Sequence, residues 1–284
     1  MTAAPPDPRS ALTPAQPHPH LRVEQAGPVV TLTLANPDAL NAQVPSLWTA
    51  LAEVGGSLPA DCRVVVIRGE GRAFSAGLNR AMFSPGGVPG EGDLMSIVGD
   101  TLQSSADAIE AFQAGFAVWR RVPQIVVAAV QGHAIGAGFQ LALAADLRVV
   151  ADDVQLAMRE VTLGIVPDLG GTGTLVHLVG YSRALELCAT GRTVGAEEAM
   201  RLGLATLAVP RADLDAATAD LVAALLAVPA PALAAVKPLL VHAIAATPED
   251  QLRREREVQA GVLSGIRAAL RHKPARSDQE TRAQ

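Results

Sequence analysis

Residues Gln124–Ala151 read QIVVAAVQGHAIGAGFQLALAADLRVVA. Ile125–Val130 predicts a strand, because it is a short β-branched apolar run bounded by turn residues. Gly132, Gly136 and Gly138 crowd the turn that follows. From Ala137 to about Ala145 the pattern predicts a helix, and Leu147–Ala151 predicts another strand. Strand, glycine-rich turn, helix and strand in close succession define an α/β core.

The same design occurs upstream. RVVVIRGE (Arg63–Glu70) is a continuous apolar run, as expected of a strand buried on both faces. Behind it stands a second turn of small residues, Phe74-Ser75-Ala76-Gly77-Leu78-Asn79. Small residues let a ligand approach the backbone closely. The Gly132–Gly138 turn also opens a helix, whose first N–H groups lack intrahelical partners and carry partial positive charge. That combination suits an anion or a developing oxyanion. Other glycine motifs do not fit. A dinucleotide fingerprint needs glycine or alanine where Leu141 stands, and no Walker lysine follows a glycine run. A serine elbow needs glycine at Ala73. Gly170–Gly173 reads as a helix start.

Around these turns, Val29–Ala35 alternates as a strand and Asn36–Gln43 is a loop entering a helix near Val44–Val54. Phe83–Asp93 carries four glycines and reads as a mobile loop. Leu94–Arg121 reads as one long helix stopped by Pro123. Further helices are expected from Thr172, over Ser182–Gly191 and over Gly195–Ala205, with a short final strand in Thr206–Pro210. From Asp213 onward the pattern is helical and rich in alanine and leucine. Thr247-Pro248-Glu249-Asp250 is a helix start, with a capping threonine, proline at the first position and acids in the first turn. Three segments result: a proline-rich disordered tail at 1–20, an α/β core at 21–212 and a helical region at 213–284.

Hydrophobic residues make up 49% and charged residues 18% of the 284-residue chain, as in a globular protein. The net charge of -5 argues against a nucleic-acid partner but permits a small anionic ligand. Aromatics are only 3%, so any pocket is walled mainly by aliphatic side chains. Cys62 and Cys188 form neither a disulfide framework nor a zinc motif. His18 and His20 are metal-ligating residue types, but they fall in the tail, where the reading is solvated chain. No metal site, membrane span or signal peptide is suggested. These features describe a soluble protein of a reducing, cytoplasmic compartment.

AMREVTLGIVPDLGGTGTL (Ala157–Leu175) poses the chemical question. Glu160 and Asp168 stand in a run that is largely apolar or glycine, where an isolated carboxylate is costly to bury. Gly164 and Pro167 lie between them, so the spacing fits a loop that turns back and brings both acids to one pocket. The plain alternatives are a surface Glu160 paired with Arg159, and an Asp168 that caps the helix after Gly170. His133 reads as a turn residue and Asp146 as a helix end. Phe112, Phe116 and Trp119 lie at helical spacing, as pocket or core packing.

NPDALNAQ, VVVIRGEGRAFSAGLN, PQIVVAAVQGHAIGAGFQLALAADLRVVA, REVTLGIVPDLGGTGTLVHLVG and TGRTVGAEEAMRLGLA occur in an order that resembles the enoyl-CoA hydratase/isomerase (crotonase) superfamily. The resemblance covers about Val23 to Pro274. It implies a spiral of ββα units with a C-terminal helical trimerisation region, assembled as a homotrimer or homohexamer. It implies an acyl-CoA substrate, with coenzyme A as part of that substrate and no separate cofactor. The backbone N–H groups of Leu78 and Ala137 would form the oxyanion hole for a thioester enolate. Ala39, Leu40, Ala76, Gly77 and Gly136 would line the coenzyme A and substrate path. Where this chain has Asp38, many members carry a basic residue facing the coenzyme A phosphates.

The candidate catalytic side chains are Glu160, Asp168 and Gln140. Hydratases of the family resemble this chain at Glu160 but carry a second glutamate where Gln140 stands. A carboxamide hydrogen-bonds water but cannot take its proton. Dienoyl-CoA isomerases of the family carry acids matching both Glu160 and Asp168. The reading is therefore an enoyl-CoA or dienoyl-CoA double-bond isomerase. A hydratase is the alternative, followed by a thioester hydrolase or a non-catalytic acyl-CoA-binding protein.

Overall fold

The computed structural model describes residues 15–271. Its main unit ends at Ala227, and the remaining helices form a second unit. In the main unit a seven-stranded sheet runs in the order β1-β2-β3-β4-β5-β7-β9. The strands are β1 (Ala15–His18), β2 (Leu21–Ala26), β3 (Val29–Leu34), β4 (Val64–Gly69), β5 (Ile125–Val130), β7 (Leu147–Ala151) and β9 (Leu207–Val209). The first three pair antiparallel, and every pairing from β3 to β9 is parallel. All six residues of β5 are buried, which is why its sequence shows no alternation. A second, two-stranded sheet joins β6 (His133–Ile135) to β8 (Gln155–Ala157) in parallel. This mixed α/β architecture with C-terminal helices agrees with the expected fold class.

Helix α1 (Pro45–Gly56) buries Leu47, Trp48 and Leu51. It packs on α3 (Leu102–Arg121), which buries Phe112, Phe116 and Trp119. The Trp48 ring stands edge-on to Phe112 and Phe116, with centroids 5.2 and 5.8 Å away. Phe116 and Trp119 are therefore core, while Phe112 also reaches the cavity described below.

Leu94–Arg121 is not one helix. α2 (Leu94–Val98) stops at Gly99, whose φ is 75°, and α3 starts afresh behind Thr101. Both starts carry capping boxes, Asp93 with Ser96 and Thr101 with Ser104, and these satisfy N–H groups that a continuous helix would have used internally. Phe83–Asp93 is a chain of turns tied down by Glu91, which accepts hydrogen bonds from the backbone N–H and the hydroxyl of Ser46.

The tail reading of 1–20 does not hold over 15–20; residues 1–14 lie outside the described residues. β1 is the edge strand of the sheet, paired with β2. Ser46 Oγ and His18 Nε2 hydrogen-bond at 2.9 Å, and the rings of His18 and His20 meet edge to face. Polar and proline-rich composition hid a strand whose backbone pairs with β2 and whose His18 meets Ser46 of α1. Among the described residues no group of three or more His, Cys, Asp or Glu is placed to hold a metal ion. No single described helix is long and apolar enough to cross a membrane.

Helices α4 (Ala137–Ala144), α5 (Gly171–Val179), α6 (Tyr181–Thr190) and α7 (Ala196–Arg201) complete the expected core helices. α4 is buried along its whole length, as its unbroken apolar composition requires. The main unit extends past 212, because α8 (Leu214–Ala227) packs on β4, β5 and β7. The second unit holds α9 (Ala230–Ala243) and α10 (Pro248–Arg271). Thr247 caps α10 by accepting from the Asp250 N–H at 3.2 Å.

Candidate active site

The two small-residue turns lie against each other. The Ser75 N–H donates to the His133 carbonyl at 2.8 Å, and the Ile135 N–H returns a bond to the Ser75 carbonyl at 3.0 Å. The approach leaves no room for a side chain at Gly77. A Cβ there would stand 2.4 Å from the Ile135 carbonyl oxygen, and φ is already +87°. Gly136 adopts φ 54° and ψ -120°, a conformation that turns the chain from β6 directly into α4. Ala137 is thus the first residue of α4, and its N–H has no intrahelical acceptor. Leu78 and Ala137, the two expected oxyanion donors, both line a cavity of about 410 Å³.

Glu160, Asp168 and Gln140 line the same cavity. The segment between the acids is a 3₁₀ turn, Glu160–Leu163, closed by Gly164 in the left-handed region. This is the turned-back loop expected from Gly164 and Pro167. The plain alternatives fail on geometry. Arg159 donates to Thr193, while Glu160 accepts from Gln140. The N-cap of α5 is Gly170, and no side chain caps that helix, so Asp168 is not its cap. Gln113 Nε2 instead anchors the Asp168 backbone, donating to its carbonyl at 2.7 Å.

Glu160 is only 7% exposed. Gln140 Nε2 donates to its Oε1 at 2.7 Å, and Oε2 is buried without a partner. Burial lifts the Glu160 carboxyl above the usual carboxylate range; hydrogen bonding from its own backbone N–H and then from Gln140 opposes this, and the Asp168 charge adds to it. Burial likewise raises Asp168. Two carboxyl groups moved toward neutral pH in an aliphatic cavity are suited to exchange protons with carbon.

Gln140 does not present a free carbonyl to the cavity. Its Oε1 accepts from the Leu169 N–H at 2.9 Å and the Gly171 N–H at 3.2 Å.

Ala39, Leu40 and Ala76 are not among the cavity walls. The Ala76 N–H instead donates to the Leu40 carbonyl at 2.8 Å, joining the first small-residue turn to the Asn36–Gln43 loop. Asn41, 2% exposed, holds that loop. Its Oδ1 accepts from the Asn36 N–H, and its Nδ2 donates to the carbonyls of Glu70 and Ala73. Asp38 is exposed in the 3₁₀ turn Pro37–Ala39. His133 lies in β6, and Asp146 accepts from the Val126 N–H at 2.8 Å, tying the end of α4 to β5.

Sequence reasoning missed most of the apolar wall, including Trp48, Leu94, Val98, Ile109 and Leu169. One signal was present: Ser105, Ile109 and Phe112 stand at helical spacing and share one face of α3. Trp48 gave no local sign. Its place depends on Gln43, whose Oε1 accepts from the indole Nε1 at 2.7 Å and whose Nε2 donates to Ser75 Oγ.

A mixed α/β fold with a largely parallel sheet, in which buried Glu160 and half-buried Asp168 line one apolar cavity with Leu78 and Ala137, fits the crotonase class of enzymes. Comparison with known proteins narrows this. The sequence pattern described as Enoyl-CoA hydratase/isomerase matches residues 24–269, and the chain belongs to that family. It is similar to a Bacillus subtilis (strain 168) protein described as a probable enoyl-CoA hydratase, with 34% identity over 63% of this chain and 65% of that one. It is similar also to the mitochondrial Delta(3,5)-Delta(2,4)-dienoyl-CoA isomerase of Homo sapiens, with 33% identity over 67% of this chain and 59% of that one. The match thus spans less than two thirds of each of these two relatives. Among solved structures, a Thermobifida fusca YX protein assigned as an enoyl-CoA hydratase superposes with a TM-score of 0.83 and 46% identity, covering 88% of this chain and 95% of that one. The same TM-score is found for that protein in complex with acetoacetyl-CoA, at 46% identity over 87% and 95% of the two chains.

Proposed function

We propose that this protein is an acyl-CoA double-bond isomerase that works through a thioester enolate. The observation that carries the reading is that Glu160 and Asp168 line one cavity together with Leu78 and Ala137. The acetoacetyl-CoA complex of the Thermobifida fusca protein supports an acyl-CoA thioester as the occupant.

In a 3-enoyl thioester, one carboxylate takes a proton from C2. The electrons of that C–H bond move toward the carbonyl, and the Leu78 and Ala137 N–H groups receive the negative charge on the thioester oxygen. Each such donor is worth ~10²–10³ in rate. The enolate then collapses, the double bond moves to C2–C3, and a carboxyl group returns a proton at C4. A 3,5-dienoyl thioester follows the same course with protonation further along the chain. Protons and electrons balance, and no other reactant is consumed.

Incubation with 3-enoyl-CoA, 3,5-dienoyl-CoA, 2-enoyl-CoA and saturated acyl-CoA separates the readings by product. Conjugated 2-enoyl or 2,4-dienoyl products support the isomerase. Faster conversion of 2-enoyl-CoA to 3-hydroxyacyl-CoA makes the protein a hydratase, and release of free coenzyme A from saturated acyl-CoA makes it a hydrolase.

We also propose assembly as a trimer or a multiple of it through the C-terminal helices. Leu240 on α9 and Leu270 on α10 are 64% and 68% exposed, and Val236, Ile244, Leu263 and Ile266 of the same region are exposed with them, apolar surface of the kind an interface covers. A monomer mass by light scattering at micromolar concentration overturns this.

A further inference from the structure

One side chain joins the two acids. Gln140 is 1% exposed, and each end of its amide is committed. The N–H groups of Leu169 and Gly171 converge on one atom, at 2.9 and 3.2 Å, so that atom is the carbonyl oxygen. The other end is therefore the NH₂ group, and it meets Glu160 Oε1 at 2.7 Å. No other residue of this shape accepts at one end and donates at the other without being protonated. Space for the clamp comes from Gly171, where a Cβ would stand 2.8 Å from Gln140 Cγ. The first donor, Leu169, directly follows Asp168 and the second, Gly171, stands two residues further on, so the amide spans from the Glu160 carboxylate to the loop carrying Asp168.

We propose that Gln140 is a positioning residue: it holds Glu160 by Oε1, reserves the unpartnered Oε2 for proton transfer, and keeps the Asp168 loop in register with it. This deepens the isomerase reading and rests on it for its kinetic part. The groups facing Glu160 are Asp168 from the loop, Gln140 from α4 and Cys188 from α6. Gln140 is the only one of these side chains that donates a hydrogen bond to the carboxylate; the Glu160 N–H also favours the charged form and is the same in every variant, so loss of Gln140 acts in one direction. A glutamate at 140 keeps the acceptor for Leu169 and Gly171 but sets a second carboxylate against Glu160.

The test uses the full chain and two variants, Gln140→Leu and Gln140→Glu. Titration of the Glu160 carboxyl is followed by infrared difference spectroscopy, assigned with Glu160→Gln. The pH profile of kcat is measured with 3-enoyl-CoA. In Gln140→Leu the Glu160 titration and the acid limb of kcat move up together by about one pH unit. kcat falls by ~10-fold or more while KM stays within ~2-fold. In Gln140→Glu, the variant that preserves the loop bonds, the carboxyl pair titrates in two steps, the upper above the wild-type value. An unmoved Glu160 titration in folded Gln140→Leu, or a single wild-type step in Gln140→Glu, overturns the assignment. A wild type that moves no double bond, with the titration shifts as stated, sinks the isomerase reading and leaves the Gln140 assignment standing.

Discussion

The Glu160 carboxylate lies over Gly136: a Cβ on that glycine would stand 3.4 Å from Oε1 and 3.6 Å from Cδ. The residue after Gly136 is Ala137, the N–H donor at the start of α4. The proposed base therefore packs against the backbone turn that carries the proposed oxyanion donor, and the missing side chain at Gly136 leaves room for that approach. Gly136→Val would combine a φ of 54° with a branched chain pressed toward the carboxylate. Loss of turnover at unchanged global fold, by circular dichroism and activity, is the expected result.

Ala137→Pro tests the donor itself. Proline is tolerated at the first position of a helix, so the variant keeps α4 while deleting the N–H. Turnover should fall by ~10²–10³. Full activity in a soluble Ala137→Pro protein would remove Ala137 from the oxyanion hole.

The two acids are separable by isosteric change. Glu160→Gln and Asp168→Asn keep shape and remove the base. Each should lower 3-enoyl-CoA or 3,5-dienoyl-CoA isomerisation by at least ~10²-fold, with coenzyme A affinity little changed by calorimetry. If Asp168→Asn stays fully active while Glu160→Gln is dead, the enzyme uses one base and Asp168 shapes the cavity.

Burial also gives Glu160 a signature in stability. Its carboxyl is raised in the folded state, so the folded chain holds that proton to higher pH than the unfolded chain does. The penalty for ionising it is absent below the unfolded value of about 4.3 and complete above the raised folded value. Glu160→Gln removes the penalty. Its Tm relative to wild type should increase from about pH 4 to about pH 8. A Tm difference that is flat or falling over that range contradicts the assigned direction.

Asn41 should matter for folding rather than chemistry. It is 2% exposed, holds three backbone groups and sits at φ 55°. Asn41→Leu leaves those groups unpaired and forces a bulkier residue into the left-handed region. A loss of about 2–4 kcal/mol in urea unfolding is expected.

Much of this was legible from neighbouring residues alone. Apolar runs marked β4 and β5 because strands covered on both faces have no polar side to show. Gly77 and Gly136 marked the turns because their backbone angles exclude most side chains. Gly164 and Pro167 marked a loop that turns back. Local backbone sterics and burial periodicity need only adjacent residues. What tertiary structure decided was partnership. Gln140 meets Glu160 twenty positions away and the Leu169 N–H twenty-nine away, so its role as a clamp was invisible in the chain. Trp48 entered the cavity wall through Gln43 and Phe112, and β1 is a strand paired with β2. Hydrogen bonds and desolvation act over a few ångströms of space, and only the folded chain sets which residues stand within that range.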